Sequence, residues 1–177
     1  MKRFKNILCV MESEDACQSA LERAITLAEN NQATVTVATV TEHLELSGGM
    51  PGGGSVPPDL QARVTAAQTQ WLETLVEPYR ERIEVITLVL TGTPFLEIIR
   101  EVLRNGRDLV IKCPESPDWL DRFLAGDDMH LLRKCPCPVW LVKPETSASY
   151  QRILAAVDVD DSYPPEELKT HQALNTM

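Results

Sequence analysis

His130, Cys135 and Cys137 fall close together in the chain, and an imidazole with thiolates is a donor set that zinc takes. A fourth ligand is missing nearby. Cys113 closes one apolar run and Cys137 opens another, and in neighbouring parallel strands those positions lie at opposite ends. One domain therefore does not readily gather four ligands. The competing reading is a small buried thiol before each of Pro136 and Pro138. No Cys-x-x-Cys redox pair occurs, and Cys9 and Cys17 occupy ordinary core or near-core positions. His43, His130 and His171 are scattered, so no Ser-His-Asp set can be inferred. Gly48, Gly49, Gly52, Gly53 and Gly54 suggest a phosphate loop but lack the Gly-Lys-Ser/Thr ending. With three prolines between Ser47 and Pro58, they read as a flexible loop.

The elements that must position such groups alternate. Ile7 to Met11 is an apolar run of the kind buried on both faces of a sheet. Ser13 can cap a helix in which Ala16, Ala20, Ala24, Leu27 and Ala28 recur at helical steps, ending at Asn30-Asn31. Strands are expected near 6–12, 33–40, 83–90, 108–113 and 138–143. A second helix carries Leu60, Val64, Ala67, Trp71 and Leu75 on one face. Thr93 caps and Pro94 opens a third, which Gly106 stops. A short helical region surrounds Trp119 to Leu132. Strands joined by helical crossovers predict an α/β fold: an open five-stranded parallel sheet with helices on both faces.

The 177 residues suffice for one ordinary domain. Seventeen Lys and Arg against 26 Asp and Glu leave a net charge of −9, which gives no general attraction for nucleic acid or anionic membranes. Hydrophobic residues make up 44% and aromatic ones 5%, so the core must be aliphatic. No apolar run is long enough for a transmembrane helix or a signal-peptide core. The odd number of cysteines, five, suits a reduced, cytoplasmic protein.

Phe4 to Glu12 has an echo at Tyr150 to Asp158: an aromatic residue, then Ile-Leu, then an acid after the run. The echo falls one domain length downstream. It predicts a domain over 1–146, followed over 147–177 by a linker and the truncated start of a second copy.

Several short motifs, in order, resemble the universal stress protein family. They are Asn6-Ile7-Leu8 leading to an acid, Gly92-Thr93-Pro94, Asp108-Leu109-Val110, and Cys137-Pro138-Val139. The run Cys135 to Pro144 and the restarting repeat resemble the tandem, E-type members. The resemblance covers about residues 4 to 144. It implies strand order 3-2-1-4-5 and a homodimer, or a pseudo-dimer with a second such domain, joined through strand 139–142.

Many family members bind ATP through a pattern of Gly, two residues, Gly, nine residues, then Gly-Ser or Gly-Thr. Backbone N–H groups at a helix start hold the phosphates. Here Lys112-Cys113-Pro114-Glu115-Ser116-Pro117 stands where the first glycines belong. The prolines have no N–H to donate, and Glu115 repels phosphate. The last glycine of the pattern is Gly126, but Asp127 and Asp128 follow it in place of a hydroxyl residue. A divalent cation held by those two carboxylates would invert their effect. The resemblance places Glu12 where the family has the Asp that contacts the nucleoside, and Val40 beside the adenine. The function expected is therefore a non-enzymatic stress-response regulatory or interaction domain with a degenerate nucleotide pocket at Glu12, Val40 and Gly126, ATP being disfavoured. The alternatives are an adenine-nucleotide-binding module and a zinc-binding domain using His130, Cys135 and Cys137.

Overall fold

Strands β1 (Asn6–Val10), β2 (Thr34–Thr41), β3 (Val85–Thr91), β4 (Leu109–Lys112) and β5 (Val139–Leu141) form a parallel sheet in the order β3-β2-β1-β4-β5. The expected strands are all present, with ends that differ by a residue or two. The computed structural model describes residues 3–12, 18–43, 59–114 and 126–143. Every element named here lies in Met1–Thr146, the first of the two units into which the chain divides. The glycine-rich loop, the Ser13 cap, Cys17 and the repeat after Tyr150 lie outside the described residues.

Side chains alternate across a strand, so a strand buried on both faces feeds two cores. In β1, Ile7 and Cys9 join Val35, Val37 and the residues of α1 (Gln18–Asn31) and α2 (Leu60–Val76) on one face. Leu8 and Val10 join Ala38, Val110 and the residues of α3 (Pro94–Asn105) and α4 (Asp127–Lys134) on the other. Helices thus cover both faces. Ala20, Ala24 and Ala28 are fully buried, and their small side chains allow α1 to lie close to the sheet.

Asn31 is the last residue of α1, as expected; the left-handed turn falls on Gln32, at φ 53°, and Asn31 donates its side-chain N–H to the Leu27 carbonyl at 2.9 Å. Two local expectations are corrected. In α2 the fully buried residues are Leu72 and Val76, with Trp71 and Leu75 packed beside them, so the core-facing stripe is rotated from the expected one. Thr93 holds the extended N-cap conformation of α3, but its hydroxyl makes no capping hydrogen bond. Gly106 ends α3 as expected, in the left-handed conformation at φ 59°.

The amino ends of β1 and β4 are tied by a polar cluster. Asp108 accepts backbone N–H bonds from Lys5 at 2.6 Å and Asn6 at 3.1 Å. Arg107 pairs with Glu101 at 2.6 Å, both nearly excluded from water, and donates a second bond to Asn6 at 2.5 Å. Asn105 adds a bond to Glu101 at 2.9 Å. Removing one partner of such a buried pair strands the other charge. Arg107→Met is expected to lower unfolding stability by about 3 kcal/mol in urea denaturation, from the typical cost of an orphaned buried charge. A loss of a few tenths of a kcal/mol would mean that Glu101 is rehydrated without cost.

Candidate functional site

The chain crosses from β1 to β2 and β3 on one side and to β4 and β5 on the other. Open parallel sheets of this kind bind ligands beyond the carboxyl ends of their strands, at the point where the strand order reverses. Here that point lies between the ends of β1 and β4, where Val10 pairs with Lys112.

Lys112 is 1% exposed, among the largest side chains that the fold buries completely. Its strand is otherwise apolar, Leu109-Val110-Ile111, and is packed on both faces. An ammonium taken out of water needs charged partners and hydrogen bonds. Lys112 has two: Nζ lies 2.5 Å from a Glu12 carboxylate oxygen and 2.5 Å from an Asp128 carboxylate oxygen. Glu12 follows β1 directly, and its side chain is 30% exposed. Asp128 is buried in the first turn of α4. Burial pulls the lysine pKa down, and the two carboxylates more than offset it, so the net direction is up. Three elements thus converge on one charge.

The predicted pocket residues share this end of the fold. Glu12 is committed to Lys112. Val40, near the carboxyl end of β2, is half-buried and packs against the core under α3 and α4. Gly126 is the N-cap of α4, extended at φ −89° and ψ 171°, and its carbonyl accepts N–H bonds from Met129 at 3.1 Å and His130 at 3.4 Å. Asp127 and Asp128 occupy the first turn, where they complement the helix dipole at the place a phosphate would take. The sequence reading put both aspartates at the phosphate or on a cation; the geometry commits Asp128 to Lys112. The sequence places Lys112 in the fourth strand and at the head of the spoiled loop but gives it no charge partner. A lysine closing an apolar parallel strand, with acids after the neighbouring strand and opening the next helix, was the available signal.

Among the described residues the sulfur and imidazole groups are not gathered into a metal set. His130 stacks on Phe95, with ring centroids 4.9 Å apart, and Lys134 lies 5.4 Å from the same ring centroid. Cys135 and Cys137 are together, with sulfurs 3.6 Å apart. Among the described residues no group of three or more His, Cys, Asp or Glu is placed to hold a metal ion. No described helix is long and apolar enough to cross a membrane.

The strand order, the two helical layers and the motifs define a universal stress protein domain, and the model of the universal stress protein family matches residues 3–143; the chain belongs to that family. Within it, the chain is 30% identical over 174 residues to universal stress protein E of Photorhabdus laumondii, covering 92% of this chain and 54% of that protein. It thus spans about half the length of the curated relatives it matches. A solved universal stress protein structure from Pseudomonas aeruginosa is 27% identical with a TM-score of 0.68, covering 99% of this chain and 56% of that one. A universal stress protein solved in complex with cAMP shares the fold at 14% identity and a TM-score of 0.59, covering 80% of this chain and 98% of that one.

Replacing Lys112 by Met leaves Asp128 and Glu12 facing each other without a cation. A loss of about 3 kcal/mol is expected at neutral pH, since one member of a buried set has been removed. The pH dependence has a definite sign. The folded lysine pKa lies above its unfolded value, so its contribution is complete below about 10.4 and falls as the pH rises through the folded pKa. Urea midpoints of the wild type and Lys112→Met should therefore keep a constant gap through neutral pH and converge in strong alkali. Convergence at acid pH alone would show that the carboxylates, and not the lysine, set the balance.

Proposed function

We propose that this chain is a regulatory or interaction domain of a stress response whose nucleotide pocket is degenerate, and that it catalyses no reaction of its own. One observation carries this reading: the buried cation at the switch point is already held by Glu12 and Asp128. A phosphate arriving there meets a neutralised lysine and the further negative charge of Asp127. Pro114 also offers no N–H in the segment after β4. The odd number of cysteines, five, supports placement in a reducing compartment such as the cytoplasm.

The experiment is calorimetric titration of the full chain with ATP, with and without magnesium. Each uncompensated like-charge contact costs on the order of 1 kcal/mol or more near a surface. Two or three of them, at roughly 1.4 to 2 kcal/mol each, move a micromolar ligand to about millimolar. Micromolar ATP binding without metal would overturn the reading. The second reading, an adenine-nucleotide module, draws on Glu12, Val40 and Gly126 sharing one end of the sheet and on the relative solved with cAMP. Saturable binding of adenosine or cAMP with ATP excluded would favour it.

The partner we propose is a second copy of this fold, in another chain or in the same one, joined along β5. The Pro138 carbonyl accepts from Val110 at 3.0 Å and the Val142 N–H donates to Lys112 at 2.8 Å, so alternate residues of this strand face β4. The N–H groups of Val139 and Leu141 then point the other way, toward a sheet edge that invites pairing. Leu141→Pro removes one outward donor and leaves the inner ladder intact. Sedimentation equilibrium should give a dimer for the wild type and at least a tenfold weaker one for Leu141→Pro, as expected for a loss of about 1.4 kcal/mol. A wild type that stays monomeric at high concentration would count against the surface.

A further inference from the structure

The Cys135–Cys137 pair is absorbed neither by the pocket nor by a metal set. The sulfurs lie 3.6 Å apart, on residues that are both half-buried against the core under α3 and α4. The local chain explains the approach. Cys135 is the C-cap of α4, and its N–H still donates to the Leu131 carbonyl at 2.9 Å. Pro136 and Pro138 disfavour helical backbone at each preceding cysteine, and Cys135 is extended at φ −68° and ψ 127°. Two prolines therefore hold the cysteines in a short, stiff bridge between α4 and β5. Bond formation needs that separation to close from 3.6 Å to about 2.05 Å.

We propose that Cys135 and Cys137 form a reversible dithiol–disulfide switch oxidised by small hydroperoxides, with Cys135 as the attacking sulfur and Cys137 as the resolving one. In the first step the Cys135 thiolate attacks the distal oxygen of the hydroperoxide. An S–O bond forms, the O–O bond breaks, and the released alkoxide or hydroxide takes a proton to leave as alcohol or water. The sulfur loses two electrons to the peroxide and becomes a sulfenic acid. In the second step Cys137 sulfur attacks Cys135 sulfur. The S–S bond forms, the S–O bond breaks, and water leaves with the Cys137 proton. The sum is two thiols and one hydroperoxide giving one disulfide, one alcohol or water, and one water. A dithiol reductant returns the pair to its starting state by exchange.

The division of roles follows from the surroundings. The hydrogen bond from Cys137 favours the Cys135 thiolate, and although burial acts the other way the Cys135 pKa is lowered to about 7. Cys137 is pushed up by its hydrogen bond to Cys135, by burial, and by the charges of Cys135 and Asp108. Cys9 and Cys113 are 0% and 1% exposed and have no comparable access.

The test uses the full chain, reduced and then treated without air with one equivalent of hydrogen peroxide or tert-butyl hydroperoxide. The expected product is a chain with no covalent cross-link to another, lighter by two hydrogens, with a Cys135–Cys137 bond located by peptide mapping and reversed by dithiothreitol. Before oxidation, iodoacetamide at neutral pH should label Cys135 about tenfold faster than Cys137, the ratio that a thiolate half-formed near pH 7 gives over an ordinary thiol. In Cys137→Ser the reaction should stop at a sulfenic acid on Cys135 that dimedone traps; in Cys135→Ser no disulfide should form. Wild-type chains that keep both thiols alkylatable after the oxidant, or that cross-link through Cys135 to another chain, would overturn the proposal even if neither serine variant folds. Dimedone labelling at Cys137 in place of Cys135 would overturn the assignment of roles.

Discussion

A single ammonium group, 1% exposed at the end of a central strand, sets the terms for its surroundings. Desolvating a lysine is costly enough that it survives as a charge only with close anionic partners. One carboxylate must come from the chain leaving β1 and another from the first turn of α4. The segment after β1, the end of β4 and the start of α4 are therefore one electrostatic unit. None can change charge without leaving a buried ion behind. The place where sheets of this order ordinarily receive a ligand holds the protein's own cation and two anions.

The opposite end of the same strands is also fastened by charge. Arg107, Glu101, Asn6 and Asp108 tie the entry to β1 to the turn between α3 and β4. Between these two polar ends runs an apolar stretch whose odd and even residues serve different cores. Register is thereby fixed twice over. A slip of one residue would send each core residue to the wrong face and would separate both polar sets.

Much of the fold was legible because its signals are local. Apolar runs bounded by turn residues mark strands, alanines at helical spacing mark α1, and Gly106 marks the end of α3. The strand order was not local and came from the family resemblance. What escaped depended on tertiary geometry. The stripe on α2 turned because Leu72 and Val76 meet the sheet where the sequence pattern favoured Leu60, Val64 and Ala67. Thr93 has the residue type and backbone of a cap without the bond. At the proposed pocket, Glu12, Val40 and Gly126 are named by the resemblance, and the structure sets all three at the carboxyl end of the sheet. The role of Lys112 was not legible, because a charged residue after three apolar ones reads first as the place where a strand leaves the core. The cysteine pair was weighed for zinc, since spacing alone carries no sulfur-to-sulfur distance.

Trp71 and Trp140 both pack in the layer under α1 and α2, and the Arg23 guanidinium lies 5.8 Å from the Trp140 ring centroid. Among the described residues the layer under α3 and α4 has Phe95 and His130 as its stacked rings and no tryptophan. For these two indoles, intrinsic fluorescence samples one side of the sheet. Loosening of α1 or α2 would change their emission directly, whereas the same event in α3 or α4 would reach them only through the strands between. Trp71 and Trp140 are therefore a one-sided optical label, and in a Trp119→Phe chain a difference between emission and far-ultraviolet circular dichroism during unfolding would tell which layer lets go first.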